Sequence, residues 1–165
     1  MKNIEQVYND YSKTIYKFLL YLTRDYHISE ELTQETFCIA IKNISKLDEI
    51  SNIRTWLCQV AKNLWYKELN KKRKYNVIAI DDDIEKIPII DDFTEGIIIR
   101  EEKQQLYKKI EELGSPLAEL VKMRAMMNFS FQEIGEILNK SEVWARVNYY
   151  RAKQKIKGDE KSEIL

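Results

Sequence analysis

The stretch FSFQEIGEILNKSEVWARVNYYRAKQKIK, residues 129–157, decides how this chain is read. Ser130 followed three residues later by Glu133 has the form of a capping box, in which the two side chains each satisfy a backbone amide that a helix start leaves open. Phe131 to Leu138 is then a short helix. It stops at Asn139, one of the few residues that tolerates the left-handed conformation at a helix end. Ser141 caps a second helix from Glu142 to about Lys157, and small Gly135 permits a close helix crossing. Two capped helices this close together have helix-turn-helix spacing.

The second helix is nearly one-signed. Arg146, Arg151, Lys153, Lys155 and Lys157 are basic, and between Glu142 and Asp159 no acid interrupts them. Such a helix gains from counterion release beside phosphates, whereas a solvated helix would interleave both signs. DNA contact is therefore expected. Glu142, Arg146, Val147 and Tyr150 lie early enough to reach base edges, with Arg146 the leading candidate, and Arg151 and Lys155 fall to the backbone. Among the aromatic residues Trp144, Tyr149 and Tyr150, Tyr149 is expected to pack in the core.

Upstream, Val7, Tyr8, Tyr11, Ile15, Phe18, Leu19 and Leu22 recur at three- and four-residue steps and define a first helix. Ser29 offers the N-cap of a second, followed by Glu30 and Glu31 at the positive dipole end and a buried stripe of Phe37, Ala40, Ile41 and Ile44. After a polar break from Asp48 to Asn52, a third pattern, Ile53, Leu57, Val60 and Leu64, runs into the basic cluster Lys71 to Lys74. From Val77 to about Glu95 the chain turns acidic, contains Pro88 and loses helical period. Periodicity returns with Leu106, Ile110 and Leu113, breaks at Gly114, and restarts with Ser115 as cap and Pro116 at the first helical position, up to a turn at Asn128 and Phe129. The fold class is all-α: two small helical domains, 1–75 and 106–160, joined by an acidic linker, 76–105.

The 165 residues carry no net formal charge, but the distribution is segmented. Residues 1–75 hold 13 basic and 9 acidic side chains, 76–105 hold 3 and 9, and 106–165 hold 11 and 9. Two mildly basic ends around an acidic middle suit a bipartite DNA-binding protein. Cys38 and Cys58 are too few and too far apart for a disulfide framework or metal knuckle, so two reduced, partly buried thiols are expected. The start MKNIEQVYNDY lacks a secretory pattern and no stretch is apolar enough to span a bilayer, which predicts a cytoplasmic protein. Lone His27 and the absence of a metal-ligand cluster or phosphate loop give no site for catalysis, metal or cofactor.

The segment 129–157, with Arg151, Ala152 and Lys153 as its arginine-alanine-basic signature, resembles the fourth region of bacterial RNA polymerase sigma factors. ISEELTQETFCIAIKNI, residues 28–44, is similar to their second region, and IRTWLCQVAKNLWYKELNKKRK, residues 53–74, to the adjoining segment that reads and melts the minus-ten element. The order of these segments and the absence of a middle domain resemble the extracytoplasmic-function (ECF) subfamily of the sigma-70 family. The turn departs from the family in Asn139 and Lys140, where glycine and an aliphatic residue are common, and Ala145 and Tyr149 replace larger packing residues. Base specificity is not carried over.

The resemblance implies that Glu31, Leu32, Gln34, Glu35 and Phe37 form the surface that docks on the clamp helices of the largest subunit of core RNA polymerase, with Glu31, Gln34 and Glu35 supplying polar contacts and Leu32 or Phe37 part of the supporting packing. It implies that Arg54, Gln59, Lys62, Asn63, Tyr66 and Arg73 hold the melted minus-ten strand, with Asn63 and the Asp48 to Arg54 loop taking an extruded base. Ser141, Glu142, Trp144, Arg146, Val147, Tyr150, Arg151 and Lys155 would then contact the minus-thirty-five duplex, and the linker would thread towards the polymerase active site. An anti-sigma factor is the implied regulatory partner. The pattern agrees with these roles independently. At about 100° per residue, Glu31, Gln34, Glu35 and Cys38 point away from the Phe37 stripe, and Gln59, Lys62, Asn63, Tyr66, Asn70 and Arg73 away from the Ile53 stripe, while Trp56 borders the core. The alternative is a polymerase-independent helix-turn-helix regulator, which would need no such docking helix.

Overall fold

A computed structural model describes residues 2–74 and 97–164, the side chains of 97–100 and 159–164 excepted. The fold is all-α: eight helices and one π-helical turn make up the regular structure of the described residues. They form two compact units.

The first unit comprises α1 (Ile4–Thr23), α2 (Tyr26–Lys42), α3 (Ile44–Leu47) and α4 (Ile53–Lys74). The Asn3 side chain caps α1 by accepting from the Glu5 amide at 3.0 Å. Arg24 ends it in the left-handed region at φ 54°, its amide donating to the Leu20 carbonyl at 2.9 Å. That reversal puts Asp25, not Ser29, at the start of α2, where its carboxylate accepts from the Ile28 amide at 2.9 Å. Ser29 lies one turn inside, fully buried, its hydroxyl 2.7 Å from that of Thr23.

Val7, Ile15, Phe18, Leu19 and Leu20 of α1 meet Leu32, Phe37 and Ala40 of α2 and Ile53, Leu57, Cys58 and Ala61 of α4 in the core. Burying a side chain such as Phe18 contributes about 1.5–3 kcal/mol. The buried stripe of α2 differs from the expected one: Ile41 is 54% exposed and Ile44 37%, while Thr33 and Thr36 are buried. Both threonines enter the core because their hydroxyls donate to carbonyls one turn back, Thr33 to Ser29 at 2.6 Å and Thr36 to Leu32 at 2.7 Å. On α4 the inward side is likewise rotated: Val60 and Leu64 are half-buried, and Thr55, Cys58, Ala61 and Lys62 are buried. Tyr8, expected inside, is exposed at the edge of the Phe37 ring, 4.9 Å away. Lys2 ties the start of the chain to the α3–α4 connection. Its ammonium donates to the carbonyls of Leu47 at 2.8 Å and Ile50 at 3.0 Å, and its amide to Asp48 at 2.8 Å.

The second unit comprises α5 (Ile97–Glu112), α6 (Leu117–Val121), a π-helical turn (Lys122–Met126), α7 (Phe131–Leu138) and α8 (Glu142–Ile164). Helix α5 starts inside the segment assigned to the linker, whose remainder, 76–96, lies outside the described residues. Tyr107 and Ile110 face its core, and Leu106 is 39% exposed instead of buried. Gly114 breaks the helix at φ 74°. Pro116 then precedes α6 as its N-cap rather than opening it, and no side chain completes that cap, Ser115 included. The following helix does not run evenly to Met127 but widens into the π turn. Buried Lys122 on that turn forms an ion pair with Glu111 of α5. Leu120, Met123, Phe129, Ile134, Ile137 and Ala145 are fully enclosed, and Ala152 and Ile156 carry the core along α8.

Candidate functional site

The helix-turn-helix is built by local chemistry. The Glu133 amide donates to the Ser130 hydroxyl at 3.1 Å and the Ser130 amide to the Glu133 carboxylate at 3.3 Å, closing the capping box. Asn139 ends α7 at φ 57°, ψ 43°. The turn then folds back so tightly that the Lys140 amide reaches the Gly135 carbonyl at 2.8 Å. A Cβ on Gly135 would stand 2.8 Å from the Lys140 carbonyl oxygen and 3.1 Å from Ser141 backbone atoms. Glycine is needed here for the turn's backbone, not for a neighbouring helix side chain. Ser141 accepts from the Trp144 amide at 3.0 Å and so starts α8.

Along α8, Glu142, Arg146, Val147, Tyr150, Arg151 and Lys155 are exposed, and Trp144 is half-buried with the Lys140 ammonium 5.5 Å from its ring. Tyr149 turns inward, packing against the cluster of Ile110, Ala118, Val121, Ala152 and Ile156 and lying 5.6 Å from the Phe131 ring. Arg146 is not a loose cation. Glu142 holds its guanidinium at 3.0 Å, and that group also lies 5.6 Å from the Phe131 ring. Arg124 approaches the same ring at 4.2 Å while donating to the Phe129 carbonyl at 3.0 Å. Sequence reading did not single out Arg124, because an isolated arginine on an apolar helix carries no pattern. Val143, 65% exposed, was likewise not singled out.

In the first unit, α2 presents Glu31, Gln34 and Glu35 on its exposed side. Leu32 and Phe37 are 5% and 4% exposed and pack behind this face. Cys38 is exposed on the same side, correcting the expectation of partial burial, and Cys58 is buried. On α4, Asn63 and Arg73 are exposed and Arg54, Gln59 and Tyr66 half-buried. Lys62 departs from its expected place on the open face. It is 4% exposed, and its ammonium lies 5.8 Å from the Tyr66 ring. A lysine so enclosed does not stand on the open face that would follow a phosphate. Half-buried Trp65, with the Lys72 ammonium 5.8 Å from its ring, joins the aromatic and basic groups near the end of α4. Trp56 is also half-buried.

Among the described residues no cluster of His, Cys, Asp or Glu could hold a metal ion, and no helix is long and apolar enough to cross a membrane. The described surfaces present an acidic-amide face on α2, a mixed aromatic, amide and basic face on α4, and a cationic helix, α8.

Residues 7–75 match the family model described as Sigma-70 region 2. Over 154 residues the chain is 30% identical to the ECF RNA polymerase sigma factor SigM of Bacillus subtilis, covering 93% of each. It is 25% identical to the RNA polymerase sigma factor YlaC of the same organism, covering 94% of this chain and 90% of that one. The sigma factor RpoE of Bartonella quintana, solved in complex with the anti-sigma factor NepR, shares the fold with a TM-score of 0.67 at 20% identity, over 96% of each chain.

Proposed function

Since the chain belongs to the ECF RNA polymerase sigma factors of the sigma-70 family, we propose a division of labour for its surfaces in promoter-directed transcription initiation. Residues 1–75 dock on core polymerase and hold the minus-ten strand, 76–105 connect, and 106–160 grip the minus-thirty-five duplex. The exposed acidic-amide side of α2, Glu31, Gln34 and Glu35, carries the docking role, because braced polar side chains on a rigid helix suit a polar partner helix pair such as the clamp helices of the largest subunit. Asn63, Tyr66, Gln59 and Arg54, with the Asp48 to Arg54 loop, take unstacked bases, and Arg73 follows phosphates. Aromatic stacking is worth about 1–3 kcal/mol per base, enough to offset the few kcal/mol that extruding a base costs.

The same chain has no catalytic role, needs no cofactor, and works in the cytoplasm where core polymerase resides. An anti-sigma factor is the fitting inhibitor, since the exposed faces must be covered when the factor is silent. A polymerase-independent regulator is disfavoured because relatives matching 93% and 94% of this chain are polymerase sigma factors. The decisive experiment is run-off transcription with bacterial core polymerase on promoter fragments, comparing the native chain with a Gln34→Ala, Glu35→Ala double variant. Core binding and initiation are lost in the variant while duplex binding persists. Initiation unaffected by the double substitution would remove α2 from the docking surface.

A further inference from the structure

Ala145, Tyr149, Ala152 and Ile156 mark the inward side of α8. At about 100° per residue, the opposite line of that helix runs through Val143, Val147, Tyr150 and Gln154. Val143 is 65% exposed, Val147 40% and Tyr150 56%, an unusual concentration of apolar surface at the most outward position of a polar helix. Arg146, Lys153 and Lys157 border this ridge on one side and Arg151 and Lys155 on the other, all exposed.

An occupant of this surface has to offer apolar ground between two lines of negative charge. The major groove of a DNA duplex has that layout. It is about 12 Å wide, admits a helix about 10–12 Å across, and is walled by phosphates on both sides. The apolar group it presents between those walls is the 5-methyl of thymine. Valine side chains cannot read a hydrogen-bonding edge, so any selectivity they exert must be for that methyl. Arg146, oriented by Glu142 at 3.0 Å, adds a hydrogen-bonding group beside the ridge.

We propose that Val143 and Val147 read thymine methyl groups in the minus-thirty-five duplex, making T·A pairs a determinant of promoter choice next to the base pair taken by Arg146. This rests on α8 being the duplex-binding helix. Tyr150 extends the same apolar contact towards the strand that Arg151 holds.

The test uses holoenzyme reconstituted from the full chain and bacterial core polymerase. Duplexes randomised over the minus-thirty-five segment are selected by binding, and each selected thymine is then replaced by deoxyuridine, which lacks only the methyl. At one or two thymines the replacement weakens binding about fourfold, the factor expected for one buried methyl group. The Val143→Ala, Val147→Ala variant loses this sensitivity, yet keeps its salt dependence because both cationic rows are intact. Both sites are solvent-exposed, so the variant folds. Selected duplexes without thymine, or a deoxyuridine effect that is absent or equal in the variant, would overturn the methyl contact and leave DNA binding standing. Failure to enrich any duplex would overturn both readings.

Discussion

Gly135→Ala is the most sensitive probe of how the helix-turn-helix is set. The new Cβ would sit 2.8 Å from the Lys140 carbonyl oxygen and 3.1 Å from the carbonyl carbon and oxygen of Ser141, all of them backbone atoms that cannot rotate away. Relief requires the turn to withdraw, which stretches the 2.8 Å bond from the Lys140 amide to the Gly135 carbonyl. Overpacking of this kind costs about 1–3 kcal/mol, and a weakened hydrogen bond about 1 kcal/mol more. Alanine's better helix propensity returns about 1 kcal/mol. The net expectation is a destabilisation of about 1–3 kcal/mol, confined to the second unit, with α8 displaced relative to α7. Urea unfolding of the full chain followed by circular dichroism reads the stability, and holoenzyme binding to a minus-thirty-five duplex reads the geometry. Core polymerase binding is unchanged. Gly158→Ala is the control, since Gly158 also lies within a helix, α8, but its Cβ would meet nothing within 4 Å. Equal stability of the two variants would refute the steric account of residue 135.

Arg146→Ala relaxes base preference at one promoter position by about 1–3 kcal/mol, whereas Lys155→Ala weakens all duplexes alike and lowers the salt slope by about 1, a contrast read from binding at several salt concentrations. Lys62→Ala reduces the stability of the first unit in denaturant titrations and leaves the salt dependence of single-strand binding by holoenzyme unchanged, because the ammonium is enclosed. Arg73→Ala shows the reverse. Ser130→Ala removes one half of the capping box and lowers second-unit stability by about 0.5–2 kcal/mol in thermal or urea unfolding, with Ser130→Asp restoring most of it.

The second unit's helix-turn-helix was legible because its determinants are local: a serine and glutamate three apart, an asparagine in the left-handed region, and a glycine under a turn. What escaped reading depended on distant partners or on polar groups satisfied internally. Thr33, Thr36 and Ser29 count as polar in any periodic pattern, yet their hydroxyls find bonds within the fold and pass into the core. Lys62 misled in the same direction. Ile41 and Ile44 misled in the opposite one, since an aliphatic residue is assigned to the core by default and both face solvent. The early start of α5 was obscured by Ile97, Ile98 and Ile99, three consecutive apolar residues that carry no helical period. For the interfaces, face and charge could be read in the sequence, but the pairing of Glu142 with Arg146 and the shared approach of Arg124 and Arg146 to Phe131 needed coordinates.

The anchoring of Lys2 has a practical consequence for anyone handling this protein. Its three bonds to Leu47, Asp48 and Ile50 hold the amino end against the connection that leads into α4. An affinity tag or fluorescent reporter fused ahead of Lys2 would emerge beside that connection and compete with the bonds that shape it. A loss of first-unit stability measured with such a fusion would then belong to the tag.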